Sequence, residues 1–319
     1  MEHDAVAQVA PGAPKLPEYA DESYEARWVS EMSIEAYHAE RGHINSGGLR
    51  DVLRSPYHYY QALRGNEPDQ TDSMVLGSLI HAAILEPVRF STQMIRRPEF
   101  NRRTNQGKAD EAEWMKRHEG RIIVDDRQAE VIEGVLDSIS RMPELVGLLT
   151  DGHKEISGFF RDPETGLKCR IRPDMLIAAD TVSAIPPYII DVKTTRDASE
   201  EAFERSIIQY GYHIAAAYYL HGASIISGQT IRNFQWIAVE NHPPYAVAVY
   251  EMDQAWAEIG EFLYRRAIRR LKKCIDRDEW PSYQLEPKFI SPPSWYMKKF
   301  ETMYDMEEVA DGGADSSGD

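Results

Sequence analysis

The stretch from Cys169 to Thr195 constrains this chain more than any other. It reads Cys169-Arg-Ile-Arg-Pro-Asp-Met-Leu-Ile177, breaks through Pro186-Pro187, and resumes as Tyr188-Ile-Ile-Asp-Val-Lys-Thr-Thr195. Both arms are rich in β-formers and bounded by turn residues, which predicts two strands of a hairpin with an elaborated loop. Residues two apart on a strand share a face. Asp191 and Lys193 therefore lie together, and Ile190 and Val192 turn the other way. If the arms pair, Asp174 comes to lie beside Asp191. Two carboxylates and a lysine at one end of a sheet offer an oxygen-rich pocket to a hard divalent cation, with Mg²⁺ the usual choice. The plain alternative is a hairpin bearing a surface ion pair. An apolar run leading straight into the charges favours a buried strand that ends at a site.

Upstream the pattern is mostly helical. Ser46 is a candidate N-cap for a helix carrying Leu49, Val52 and Leu53, which closes near Ser55-Pro56. Tyr57, Tyr59 and Tyr60 follow, and suit packing beside a helix end more than stacking on bases. A helix is expected over 73–86, with Leu76, Leu79, Ile80, Ala83 and Ile84 on its apolar side and Pro87 as its stop. His81 stands inside that segment, one turn after Gly77, whose missing side chain admits another backbone or a metal. Such a histidine is either a hydrogen-bonded core residue or a ligand. Residues 101–120 hold Arg102, Arg103, Lys108, Lys116 and Arg117, as in a solvated helix or a DNA-contacting surface. Residues 121–124 read as a short strand, and Asp125 or Asp126 as the cap of the next helix, through Val131, Val135, Leu136 and Ile139.

Glu155 begins a strand at 155–160 that turns through Asp162-Pro-Glu-Thr-Gly166 into the central hairpin, and it offers a third carboxylate. After the hairpin one helix is expected over 199–220. Phe203, Ile207, Tyr210, Ile214 and Ala217 form its buried face, with Gln209, Tyr212 and His213 on another. Strands at 234–239 and 246–250 lead to a long helix from about Asp253 to Ile275. Cations fill six of the nine positions 265–273. They complement the helix dipole, and are numerous enough to meet phosphate or a partner.

A net charge of −16 argues against nucleic acid only until its location is read. Residues 1–40 hold nine acidic and two basic side chains, and residues 301–319 hold seven acidic and none basic. What remains is 36 acidic against 34 basic, so the middle is nearly neutral. Phosphate binding needs a local basic surface, not a basic whole. The expected organisation is an acidic, disordered segment at 1–40, one domain at 41–300, and an acidic, disordered tail at 301–319. No apolar run is long enough for a membrane span, and no secretory signal order is evident. Cys169 and Cys274 are the two cysteines, which suits a reducing compartment and excludes a disulfide framework.

The Pro-Asp, spacer, Asp-x-Lys pattern is the PD-(D/E)xK nuclease signature. Other stretches keep the same order over roughly residues 44–295: Ile44-Asn-Ser-Gly-Gly-Leu49, Ser55-Pro-Tyr-His-Tyr59, Leu76-Gly-Ser-Leu-Ile-His81, Leu85-Glu-Pro87, Tyr212-His213, Ala217-Tyr-Tyr219 and Trp280-Pro-Ser-Tyr283. With these the chain resembles the exodeoxyribonuclease VIII-like (RecE C-terminal-like) branch of that superfamily, related to lambda exonuclease and the RecB nuclease domain. The resemblance implies an α/β fold, a restriction-endonuclease-like core with a mixed central sheet flanked by helices. It implies His81, Asp174, Asp191 and the Val192 carbonyl as metal ligands. Lys193 would orient or help deprotonate the attacking water, and Glu155 would hold or position a second metal. One departure stands out, because the helix after the lysine usually carries a glutamine where this chain has Ala215.

By the same resemblance the activity is that of a Mg²⁺-dependent exodeoxyribonuclease, with Mn²⁺ able to substitute. It would degrade one strand of linear duplex DNA, 5′ to 3′, and leave 3′ single strands for recombination by annealing. Duplex DNA ends, a single-strand annealing protein and a ring-shaped homo-oligomer are the implied partners, in the cytoplasm of a bacterial host cell. The rivals are a nuclease of other polarity or an endonuclease, and a DNA- or partner-binding protein with an impaired site. Ala215 is the sole support for the last.

Overall fold

The computed structural model describes residues 23–65, 71–179 and 185–312. A main unit ends at Ser282 and a second begins at Tyr283. The main unit opens with β1 (Arg27–Val29) and α1 (Ile34–Ala39). In α2 (Ser46–Arg54) the cap is Asn45, one residue before the expected Ser46; its side chain accepts from Gly48 N–H at 2.8 Å. Ser55 then caps α3 (Pro56–Leu63). Thr71 caps α4 (Asp72–Leu85), and α5 (Pro87–Gln93) begins at the proline that stops it, since Pro lacks the N–H a continuing helix needs.

Next come β2 (Met94–Arg96), α6 (Asn105–Arg117) and β3 (Ile122–Val124). Asp125 and Gln128 form a full capping box on α7 (Asp126–Ser140), which α8 (Pro143–Thr150) follows. The strands β4 (His153–Lys154), β5 (Ser157–Arg161), β6 (Lys168–Ile171), β7 (Met175–Ile177) and β8 (Tyr188–Thr195) come in succession. Helices α9 (Glu200–Tyr210) and α10 (Tyr212–Ser227) lead to β9 (Asn233–Glu240), β10 (Val247–Glu251) and α11 (Gln254–Arg277). The second unit contributes α12 (Ser294–Gly312).

A five-stranded mixed sheet, ordered β10-β9-β8-β7-β4, lies at the centre. β8 and β9 run parallel, with α9 and α10 connecting them, and the other neighbours are antiparallel. Alternation along each strand feeds two cores, one on each face. Ile189, Phe234, Trp236 and Ala238 join α2, α3, α10 and α11 on one side. Ile190, Val192, Ile237 and Val239 meet α4, α5, α7 and α8 on the other. The expected mixed sheet flanked by helices is the architecture observed. Tyr59 and Tyr60 are buried against Trp280, with ring centroids 6.2 and 5.0 Å away, so the packing reading holds for those two, whereas Tyr57 is exposed. Among the described residues no single helix is long and apolar enough to cross a membrane. Cys169 and Cys274 are buried and free.

Five expectations are corrected. The first hairpin arm, 169–177, is two strands: β6 joins a separate three-stranded sheet with β5 and β1, and β7 joins the central sheet. Pro173 cannot donate to a ladder, and the chain changes sheets at Arg172-Pro173-Asp174. The strand expected at 155–160 begins later, as β5 at Ser157, because residue 155 forms the turn after β4. Glu155, at φ 51, swings the chain from β4 to β5, and its N–H donates to the Asp174 carbonyl at 3.0 Å. The helix expected over 199–220 breaks at Gly211, whose φ of 65 caps α9 in the left-handed conformation. Tyr210 therefore stands 47% exposed instead of in the core, whereas Phe203, Ile207, Ile214 and Ala217 are buried as expected.

Finally, the disorder expected over 1–40 does not hold for β1 and α1. β1 pairs with β5. Buried Arg170 donates to the Tyr37 carbonyl and lies over the Tyr37 ring at 4.6 Å, and Arg172 donates to the Met32 carbonyl at 2.9 Å. Residues 301–312, expected to be structureless, continue α12. Residues 1–22 and 313–319 lie outside the described residues.

Candidate metal centre

β8 carries the centre because its sequence alternates. Ile190 and Val192 are buried in one core, so Asp191 and Lys193 face the other side, where they form an ion pair. The antiparallel register sets Met175 opposite Ile190, and Asp174 is the next residue along. Its Oδ2 accepts the Val192 N–H at 2.6 Å, which holds the carboxylate against β8. Asp174 and Asp191 are both buried.

α4 delivers His81 from the opposite layer. A Cβ at Gly77 would sit 3.1 Å from Thr194 Oγ1, so the bare glycine lets the helix lie close to β8. His81 Nε2 is 2.6 Å from the Val192 carbonyl. A carbonyl oxygen only accepts, so Nε2 carries the proton and donates. Burial, and then the Lys193 charge, lower the His81 pKa and keep the ring neutral. Nδ1 is then a bare lone pair, and it faces Asp174 Oδ2 at 3.5 Å.

Glu155 arrives at the crossing between the two sheets. Arg172 donates from Nε to Glu155 Oε2 at 2.6 Å and from its NH1 nitrogen to Ser157 Oγ at 2.6 Å. His81, Glu155 and Asp174 each present a ligand atom within 4.8 Å of the other two. The centre opens into a cleft of roughly 840 Å³, lined also by Lys193, Thr195, Tyr210 and Tyr212.

The electrostatics are those of a pocket short of positive charge. Burial, and then Asp191, push the Asp174 carboxyl up to about 8. Burial and Asp174 raise Glu155, although Arg172 opposes them. For Lys193 burial alone would favour the neutral amine, but Asp191 and Asp174 outweigh it and hold the ammonium above its usual range. A lone pair facing a carboxylate, with a second carboxylate beside them, is an arrangement that a hard divalent cation resolves. The donors are carboxylate oxygens, a carbonyl and one imidazole, which fit Mg²⁺ or Mn²⁺.

The structure thus brings His81, Glu155 and Asp174 together. Asp191 adjoins them, turned toward Lys193, and the Val192 carbonyl is taken up by His81. Ala215 lies in the first turn of α10 and brings no polar side chain, while Tyr212 and Tyr219 from that helix line the cleft. Arg172 was not singled out from sequence, although the alternation Arg170, Arg172, Asp174 was there to read. The two basic segments are paired in part within the chain. Arg102 meets Glu111 and Arg117 meets Glu113, Arg269 holds Glu164 through two nitrogens, and Arg265 and Lys272 pair with Glu261 and Asp276.

No curated protein matches the chain. A candidate exonuclease of Eubacterium rectale, solved by crystallography, is similar in structure with a TM-score of 0.56 at 14% identity, over 85% of this chain and 98% of that one. An alkaline exonuclease from Laribacter hongkongensis is aligned at 12% identity over 77% of this chain and 95% of that one, with a TM-score of 0.26. Residues 46–286 match the family described as a PDDEXK-like domain of unknown function, DUF3799. That match bears out the likeness to the PD-(D/E)xK superfamily and is consistent with its RecE-type branch. The chain therefore belongs to the PDDEXK-like DUF3799 family, and every residue of the centre falls within the matched span.

Proposed function

We propose that the chain is a divalent-metal-dependent exodeoxyribonuclease acting on linear duplex DNA, with Mg²⁺ its ordinary cation. The observation that carries this reading is the convergence of His81, Glu155 and Asp174 within 4.8 Å, next to the Asp191–Lys193 pair. His81, Glu155, Asp174 and Asp191 would hold the cation, and the Val192 carbonyl would join them once released from His81 Nε2. When bound, it supplies charge neutralisation at the scissile phosphate and acidifies the attacking water.

The chain's own residues do the rest. Hydrolysis joins a water oxygen to phosphorus and breaks the bond to the 3′ oxygen, leaving a 5′ phosphate and a 3′ hydroxyl. Lys193 is held charged by Asp191, so it donates hydrogen bonds to the water or to a phosphate oxygen and does not take a proton. Val192 N–H orients Asp174, and Arg172 orients Glu155, so neither carboxylate has to be ordered when substrate arrives. Degradation from 5′ to 3′, a 3′ strand passed to an annealing protein and a ring of subunits are supported by the RecE-type resemblance.

The test uses linear and covalently closed circular duplexes, with 5′ and 3′ end labels and Mg²⁺ or Mn²⁺. The reading expects nucleotide release from linear DNA alone, with early loss of the 5′ label. Equal cleavage of circles would make the protein an endonuclease, and early loss of the 3′ label would reverse the polarity.

A further inference from the structure

We propose that Tyr210 is a stacking platform for a nucleobase adjoining the scissile phosphate. This rests on the nuclease reading above and adds a substrate contact to it.

An aromatic column leads outward from the centre. Lys193 Nζ lies 5.1 Å from the centroid of the Tyr212 ring. Tyr210 stacks on Tyr212, with centroids 5.5 Å apart and planes inclined by 26°. Tyr212 is half-buried and also meets Phe203 at 6.1 Å, so its ring is backed from within the core. The outermost ring is Tyr210, 47% exposed on the wall of the cleft. One end of the column is the cation that meets phosphate, and the other is an aromatic ring open to the cleft.

The backbone holds Tyr210 in that place. The repeat of α9 would turn it inward with Phe203 and Ile207, but Gly211 ends the helix in the left-handed conformation. Arg50 of α2 donates to the Tyr210 carbonyl. Its stem lies where a Gly211 Cβ would come, 3.0 Å from Arg50 Cδ, so the break is packed from outside. The ring is thus presented on a braced turn. Stacking of this kind tolerates any sequence, because every base has a π-face. A nuclease that moves along a strand regardless of its sequence needs that tolerance.

The experiment places one abasic nucleotide at each of the last three positions of the degraded strand. It compares kcat/KM for wild type, Tyr210→Ala, Tyr210→Phe and Tyr210→Trp. For wild type, Phe and Trp, one position should show a loss of about 5- to 150-fold on removing the base, the range expected of one stacked base. In Tyr210→Ala that abasic penalty should vanish. A parallel arm measures anisotropy of a labelled 12-nucleotide single strand without divalent cation, intact or abasic at the same position. An abasic penalty that is the same in Tyr210→Ala as in wild type, or absent from wild type at all three positions, overturns the proposal. If wild type cleaves no DNA but the binding arm shows a base effect lost in Tyr210→Ala, the nuclease reading fails and the platform stands.

Discussion

Asp174→Asn should make the metal-free protein more stable at pH 8 while removing its nuclease activity. The Asp174 carboxyl sits at about 8 against an ordinary 3.8, through burial and then Asp191. A raised carboxyl pKa means the folded state holds a proton that the unfolded chain has released. Stability therefore falls as pH rises from about 4 through 8, and the full cost is present above 8. At ~1.4 kcal/mol per pH decade that displacement sets a ceiling of ~6 kcal/mol. Relaxation of the buried site and water entry reduce the cost that is realised, so about half the ceiling is expected, or ~2–3 kcal/mol. For a unit of this size that corresponds to a rise of about 3–5 °C in Tm. The asparagine oxygen can still accept from Val192 N–H, so the bond that seats the side chain survives. The assay is thermal melting in EDTA from pH 5 to 8.5, then again with Mg²⁺. Wild-type Tm should fall with pH more steeply than that of the variant, and Mg²⁺ should rescue wild type alone. A variant destabilised equally at pH 5 and pH 8 would refute the electrostatic account of the pocket.

Other outcomes follow from the same geometry. His81→Ala should weaken Mn²⁺ binding and depress activity with little change in metal-free melting, because His81 lines the cleft and is not among the packed core residues; a destabilised variant with wild-type metal dependence would return His81 to the core. Gly260→Ala should cost ~3 kcal/mol or more, since a Cβ would lie 2.2 Å from the His213 carbonyl oxygen between α10 and α11; denaturant melts check it. A truncation that begins at Arg41 should destabilise by ~3 kcal/mol, because Arg170 loses its buried carbonyl partner and the Tyr37 ring; melts identical to the full chain would contradict that.

Much of the centre was legible because β8 says so in its own alternation. Burial of Ile190 and Val192 leaves no other face for Asp191 and Lys193, and a local cap such as Asp125 is read from three or four residues. What escaped depends on distant partners. β-propensity marks residues 169–177 as extended but does not say to which sheet each half belongs. Glycine at 211 is compatible with a continuous helix, and the break is packed by Arg50, far upstream. The acidic composition of residues 1–40 conceals Tyr37, which becomes core through Arg170 and Phe159, 6.5 Å from its ring. Glu155 was placed near the site by order along the chain, but its left-handed turn and its Arg172 partner are tertiary facts.

The central claim is that the residues around Asp174 and Asp191 form a cation-dependent phosphodiesterase centre. Its most direct test is hydrolysis of end-labelled linear duplex across a Mg²⁺ titration, with wild type beside Asp191→Asn and circular dichroism to verify the fold. Mg²⁺-dependent nucleotide release is expected from wild type and none from Asp191→Asn at any Mg²⁺ concentration, with unchanged secondary structure. Turnover by Asp191→Asn equal to wild type at saturating Mg²⁺, or release by wild type undiminished in EDTA, would contradict it.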